Sequence, residues 1–283
     1  MTDSRIITEE DLNKLGEEGI GRIFPDKIKI SVQMATCGIA AGADLIYNAI
    51  ISEVKNKDII IDKTGCIGYC KREPMLNLYI PGFNPVVYSD LTSKKVQELL
   101  PQWLNGNIPE DNALGQLDGG PYETSIKNKI VGNIKSLLDH PFFVKQKKSI
   151  LRNSGFINPL QISEYVGRGG YYTLFRVLKG ISSDEIIQAV KKSGLRGRGG
   201  AGFPTGLKWE ICKKEKSDIK FIICNADEGD PGAYMDRTVL EGDPFSVLEG
   251  MTIGAYAIGV QKGYIYVRKE YPLAVKHLKI AIE

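Results

Sequence analysis

Along residues 27–34 charged or polar side chains alternate with apolar ones, the period of two that a pleated strand imposes. The period then lengthens, and Leu45, Ile46, Ile50 and Val54 recur at helical spacing inside 40–55. A second strand is predicted over 58–62, a hairpin from 75–80 and 85–88 around Pro81, Gly82 and Asn84, and a closing helix over 92–104. The next stretch, 105–123, gathers Asn, Gly, Pro and Asp with few apolar residues, the make-up of a solvated connector. From Ser125 the pattern is helical, with helices predicted at 127–139, 161–167, 170–178 and 183–192, the last opened by a cap at Ser182 or Ser183. Residues 220–225 read as a short buried strand, 247–257 as an apolar helix and 263–268 as another strand. In 269–283, Leu273, Ala274, Leu278 and Ala281 keep helical spacing with no glycine or proline stop, as expected of a truncated chain as much as of a natural end.

The first run of elements, β-α-β-β-α, is a small thioredoxin-like layout. The expected organisation is α/β throughout: a first domain at 1–105, a linker at 106–124 and a second domain at 125–283. A chain of 283 residues is long enough for two such cores. With 42% apolar and 25% charged residues it has the balance of a globular protein, and no run approaches the length of a membrane span. The first eleven residues lack the basic start and apolar run of a secretory signal, so a cytoplasmic setting is expected. A net charge of +3, spread among interleaved Lys and Glu, argues against nucleic acid as a partner. Only His140 and His277 are present, which excludes a three-histidine metal site and leaves demanding chemistry to a cofactor.

Six glycines fall within 194–209, directly after a predicted helix. Glycine at that density is needed where φ must be positive or where backbone N–H groups must come close to a ligand; the alternative is a flexible surface loop. The loop is not a phosphate-binding Walker motif, because Lys208 lacks the Gly-Lys-Ser/Thr order. Its Gly-x-G-x-x-Gly pattern, Gly197 to Gly202, follows a helix where a dinucleotide fingerprint would follow a strand.

This loop, together with Cys-Asn-Ala-Asp-Glu-Gly-Asp-Pro-Gly-Ala-Tyr-Met-Asp-Arg-Thr-Val-Leu-Glu over 224–241, resembles the FMN and NADH site of the flavoprotein subunit of complex I and of NAD-linked hydrogenases. The resemblance implies that Gly197, Arg198, Gly199 and Gly200 wrap the flavin, and that Lys208 and Asn225 bond its phosphate and ribityl chain. It also implies that Phe203 stacks on the adenine of NADH, although Ile211 stands where the family has a second aromatic. Asp227, Glu228 and Asp230, just past the predicted strand, correspond to the acidic nicotinamide side, with Glu228 and Asp230 as catalytic candidates. The run around Asp230 is closer to the subunit of soluble bifurcating hydrogenases than to that of respiratory complex I. The implied activity is NAD(P)H-linked: hydride to FMN, then single electrons to iron–sulfur centres, within a complex containing a small [2Fe–2S] subunit and a larger iron–sulfur or hydrogenase subunit. The family's [4Fe–4S] site would lie beyond Glu283, so the chain is expected to be incomplete as an enzyme alone. A non-catalytic assembly or docking module is the alternative.

Cys66 and Cys70 are separated by three residues in a loop after a strand, and Cys37 opens a helix upstream. This spacing resembles the thioredoxin-like [2Fe–2S] ferredoxin domain, whose cluster takes four thiolates. The resemblance makes Cys37, Cys66 and Cys70 metal ligands and puts Val32 where the first cysteine would stand. Either a cluster uses another fourth ligand, or the metal has been lost, or Cys66 and Cys70 form a redox pair. Cys212 and Cys224 show no ligand spacing and are expected to be ordinary thiols.

Overall fold

The computed structural model describes residue 6, residues 8–55 and residues 57–283. Residues 1–5, part of the stretch read for a signal, lie outside these. The elements in order are α1 (Glu9–Ile23), β1 (Lys29–Gln33), α2 (Thr36–Ala40), α3 (Ala43–Val54), β2 (Ile60–Thr64), β3 (Leu76–Tyr79), β4 (Val86–Tyr88), α4 (Ser93–Leu104) and β5 (Ala113–Gln116). They continue with α5 (Ile162–Gly167), α6 (Tyr172–Gly180), α7 (Ser183–Lys192), α8 (Thr205–Lys214), β6 (Phe221–Ala226), α9 (Met235–Gly242), α10 (Pro244–Ile258), β7 (Lys262–Val267) and α11 (Pro272–Ile282).

The first sheet runs β2-β1-β3-β4-β5, with β1 and β2 parallel and the other pairs antiparallel. On one face Ile30, Val32, Leu76 and Leu78 bury against Ile46 and Ile50 of α3 and Trp103 of α4. The other face, carrying Tyr79 and Val87, is covered by Ile23 of α1 and by Phe143, Phe156, Tyr165 and Phe245 from the second half of the chain. α1 and α5 cross closely because glycines stand at the contact: a Cβ on Gly19 would stand 1.8 Å from the Ser163 carbonyl oxygen and one on Gly167 2.9 Å from that of Gly16. The thioredoxin-like sheet therefore has its second face sealed by residues that the sequence assigned to another domain.

Three expectations change. The linker at 106–124 contains β5, an edge strand of four residues held to β4 across a register shift, where Gly115 lets the Leu137 backbone approach. Residues 127–139 do not form a helix. Lys129 bridges to Phe83 and Ser136 to Gln116, while the buried Gln116 side chain accepts from Val131 N, and only Leu137–Asp139 makes a 3-10 turn. β6 is not a buried strand either, since it pairs only with β7 and leaves Phe221 and Ile223 46% and 63% exposed. Helices α1, α8 and α9 were not anticipated, although Thr8 and Asp11 form a capping box at the start of α1.

Around β6 and β7 pack α8, α9, α10 and α11, with one core of Ala226, Leu240, Tyr271, Ala274 and Leu278 and another of Val177, Ile186, Ile187 and Ala257. Among the described residues no helix is long and apolar enough to cross a membrane.

Candidate metal centre and nucleotide loop

The parallel pairing of β1 and β2 brings the chain out of both strands at the same end of the sheet. There the first turn of α2 presents Cys37, and the loop after β2 presents Cys66 and then Cys70 at the head of a 3-10 turn. The three Sγ atoms lie within 4.8 Å of one another, with Cys66 and Cys70 3.9 Å apart. Gln33, fully buried at the end of β1, steadies the second loop by accepting from Ile67 N at 3.1 Å and donating to Asn77 at 3.2 Å. Cys212 is exposed on α8 and Cys224 half-buried on β6, and neither joins the group. Val32 faces the core under α3 and α4, whereas Ala35, Cys66 and Ile67 belong to the core on the other side of the sheet.

Glu73 was missed by sequence reasoning, yet its buried carboxylate reaches Cys37 Sγ at 3.8 Å. The donor set, a buried and two half-buried thiols with a carboxylate beside Cys37, fits a thiophilic metal centre. Hydrogen bonds from Cys37 and Cys66 lower the Cys70 thiol below its ordinary range. Hydrogen bonding to its two neighbours and then burial push Cys66 up. Burial also lowers the ammonium of Lys148 to about 8 while its Nζ donates to the Ile67 carbonyl at 2.5 Å, which places a buried cation against the cysteine loop. A scan for local motifs could have found Glu73 as the third residue after Cys70; Lys148 has no such signal.

The glycine loop joins α7 to α8 as a short hairpin, Gly197 N donating to the Phe203 carbonyl at 2.9 Å and Thr205 N to that of Leu195. Positive φ occurs at Gly194, Gly200 and Gly202. Gly199 is not among them, and a Cβ there would meet nothing within 4 Å, so Gly199 wraps a ligand by openness and not by a left-handed backbone. The loop borders an open hollow of about 480 Å³ lined by Ser193, Gly194, Leu195, Arg196, Gly197, Arg198 and Gly202. α8 begins at its edge with no side chain capping its first turn, an arrangement that favours an anion. Phe203 and Ile211 are 41% and 47% exposed, and Lys208 is exposed with no ion pair among the described residues. Free backbone donors, an uncommitted lysine and an exposed ring fit a phosphate-bearing aromatic cofactor.

Asn225, Asp227, Glu228 and Asp230 follow one another at the end of β6 and do not line the hollow. Asn225, Asp227 and Asp230 are exposed, and the Asn225 side chain accepts from Asp227 N at 3.1 Å. Glu228 is different. It is 9% exposed and accepts from Asp236 N in the first turn of α9 and from the Tyr271 hydroxyl at 3.1 Å. At the far end of α9, Glu241 is 2% exposed, and its carboxylate accepts from Thr36 N at 2.9 Å and from the Thr36 hydroxyl, one residue before Cys37. One helix thus ties the acidic strand end to the cysteine group.

The chain thus joins a sheet bearing a thiol cluster to a glycine loop and an acidic strand end. Residues 190–283 match the family model of the Nuo51 FMN-binding domain, which bears out the resemblance read from the two motifs. The NADP-reducing hydrogenase subunit HndC of Solidesulfovibrio fructosivorans is 56% identical over 139 residues, 49% of this chain and 28% of that protein. The NAD-reducing hydrogenase HoxS subunit alpha of Cupriavidus necator is 32% identical over 208 residues, 74% of this chain and 30% of that protein. The chain thus spans less than a third of the length of these relatives. A solved thioredoxin-like [2Fe–2S] ferredoxin from Aquifex aeolicus covers 33% of this chain and 96% of its own at 17% identity and a TM-score of 0.29, a likeness too loose to bear on the site.

Proposed function

We propose that this chain is the FMN- and NAD(P)H-facing part of an electron-transfer oxidoreductase subunit, working beside a small [2Fe–2S] subunit and a larger iron–sulfur or hydrogenase subunit. The observation that carries this reading is α9. Glu228 holds its first turn and Glu241 in its last turn holds Thr36, so one helix of eight residues, about 12 Å long by its rise per residue, spans from the acidic strand end to the cysteine group. The names of the relatives, hydrogenase subunits that reduce NAD or NADP, support the same reading.

A bound flavin would supply the conversion between hydride and single electrons. The chain's own residues prepare the place. Arg198, Gly199 and Gly200 offer backbone N–H groups to it, Gly197, whose N–H is bonded to the Phe203 carbonyl, shapes the turn that wraps it, and the Lys208 ammonium offsets phosphate charge. Asn225 offers an amide to the ribityl chain, and Phe203 offers a ring face to adenine. Asp227 and Asp230 present carboxylates to the nicotinamide side. Glu228, committed to Asp236 N and Tyr271, acts by fixing the loop that carries them. Cys37, Cys66 and Cys70 would hold a metal centre at the other end of α9.

The second reading, a docking module with an incomplete flavin site, is favoured by one feature: the sheet face of β6 and β7 leaves Phe221, Ile223, Tyr264 and Tyr266 between 46% and 63% exposed. Titration with FMN, followed by quenching of flavin fluorescence, separates the two. Binding is expected. Lys208→Ala should weaken it by about 1.5 to 3 kcal/mol, on the order of tenfold to a hundredfold, and leave the melting temperature of the flavin-free chain unchanged. Gly200→Val should abolish it, because φ is +97° there. A folded chain that quenches no FMN supports the docking module.

A further inference from the structure

We propose that Glu73 is the fourth ligand of a metal centre whose other ligands are Cys37, Cys66 and Cys70, filling the place that the resemblance gave to a cysteine at position 32. The inference rests on the reading of the three thiols as a metal centre and names what closes it.

Geometry comes first. With metal–sulfur bonds of about 2.3 Å and metal–oxygen bonds of about 2.0 to 2.2 Å, two ligand atoms sharing a tetrahedral metal stand roughly 3.6 to 3.8 Å apart. Glu73 Oε1 lies 3.8 Å from Cys37 Sγ, and Cys66 Sγ lies 3.9 Å from Cys70 Sγ. All three sulfurs fall within 4.8 Å of one another. The three sulfurs therefore form the group, and Glu73 Oε1 stands at ligand-pair distance from one of them, Cys37.

Burial is the second argument. Glu73 is 8% exposed, and its other oxygen, Oε2, accepts from Met75 N at 2.9 Å, which fixes the carboxylate with Oε1 turned to the thiols. Among the described residues it makes no ion pair. A carboxylate taken out of water without a cation is costly, and a metal ion among three thiolates removes that cost. Lys148, its ammonium on the Ile67 carbonyl, offsets part of the negative charge that four anionic ligands leave on a divalent ion.

Position 32 cannot take this part. Val32 is fully buried in the core beneath α3 and α4, with Ile30 and Ile46, so a side chain there is directed into the opposite face of the sheet. The local backbone is instead built to bring Cys37 over Glu73. A Cβ on Gly38 would stand 2.2 Å from the Gln33 carbonyl oxygen and 3.3 Å from Glu73 Oε2, so glycine is what lets α2 turn in against the acid.

The test uses the full chain and two probes under anaerobic conditions, cobalt(II) alone and iron with sulfide. The unmutated chain should bind cobalt one to one with the visible bands of a tetrahedral thiolate site. Partners outside the ligand set are commonly worth on the order of tenfold to a hundredfold in metal affinity, so Glu73→Ala should lose at least as much and shift the bands. Glu73→Cys should restore affinity and raise the near-ultraviolet sulfur-to-cobalt absorption by about one third, from three thiolates to four. With iron and sulfide, the reduced protein should give a two-iron paramagnetic signal only if the four donors divide between two irons, and Glu73→Cys must then alter its g-values. Circular dichroism of the metal-free variants checks that they fold. If Glu73→Ala binds cobalt with the affinity and spectrum of the unmutated chain, Glu73 is no ligand although the metal centre stands. If the unmutated chain takes up neither probe, the metal centre and the proposal fall together.

Discussion

Replacing Glu241 should loosen the cysteine group from a distance of one residue. Glu241 is 2% exposed and belongs to α9, yet its carboxylate accepts from the backbone N–H and the hydroxyl of Thr36 on α2. Hydrogen bonds to a charged group are worth about 1.5 to 3 kcal/mol each, and a buried donor left unpaired costs about 1 to 3 kcal/mol. Glu241→Ala removes both bonds and strands the Thr36 N–H, so a loss of roughly 3 to 5 kcal/mol is expected, out of the 5 to 15 kcal/mol that such chains possess. Glu241→Gln keeps an acceptor for the N–H, and the Thr36 hydroxyl can rotate to accept from the amide. That variant should lose only about 1 to 2 kcal/mol.

Urea unfolding of the metal-free chain measures the loss, and a double-mutant cycle with Thr36→Val isolates the part carried by the hydroxyl. A second readout is local: in Glu241→Ala the Cys37 thiol should react faster with a disulfide reagent than in the unmutated chain, while Cys212, already exposed, should not change. Were Glu241→Ala to unfold within about 0.5 kcal/mol of the unmutated chain, the scale of an ordinary surface substitution, the tie between α9 and the cysteine group would have no energetic reality.

Two further outcomes follow from the same structure. A Cβ on Gly206 would stand 2.6 Å from Lys191 N, so Gly206→Ala should push α8 off α7 at a cost of about 1 to 3 kcal/mol and weaken FMN binding, whereas Gly199→Ala, with open space around it, should leave the urea midpoint unchanged. Burial lowers the pKa of His277, whose Nδ1 donates to the Glu241 carbonyl at 2.8 Å; its contribution is present above the unfolded value of about 6.5 and is lost as pH falls through the folded value, so His277→Gln should flatten the fall in stability between pH 7.5 and 5.5, and an unchanged slope would refute this.

The elements of the first sheet were legible because their apolar positions follow one period each: Ile30 and Val32 alternate in β1, and Ile46, Ile50 and Val54 line the buried stripe of α3. Legibility failed where a side chain, not a period, decides the backbone. Lys127 to Asp139 has enough apolar residues for a helix, but Gln116 bonds Val131 N and the segment runs as a strap along the sheet. α1 hides for another reason. Its contact face uses Gly16 and Gly19 beside Leu12 and Ile23, and glycine registers in a periodicity reading as a break and not as a packing residue. The same blindness applies to Gly206, which a motif reading counts among loop glycines although it sits inside α8 against Lys191.

The cysteine group shows most clearly what a linear reading omits. Cys37, Cys66 and Cys70 were named through the resemblance to the ferredoxin domain, and the sulfurs do converge, because the parallel strands β1 and β2 deliver their following loops to the same end of the sheet. The fourth place was sought at position 32, since a resemblance compares positions in order along a chain. Strand alternation sends that position into the opposite core, next to Ile30 and Ile46. Glu73 stood in plain view in Cys-Lys-Arg-Glu-Pro, but an acidic residue beside two basic ones reads as a solvated charge. Its surroundings are set by elements remote in sequence: Gly38 admits α2, Met75 opens β3 and pins Oε2, and Lys148 approaches the loop between Cys66 and Cys70. Ligand sets are defined by convergence in space, and the donor proposed to close this one is a buried carboxylate set against Cys37, not a residue at position 32.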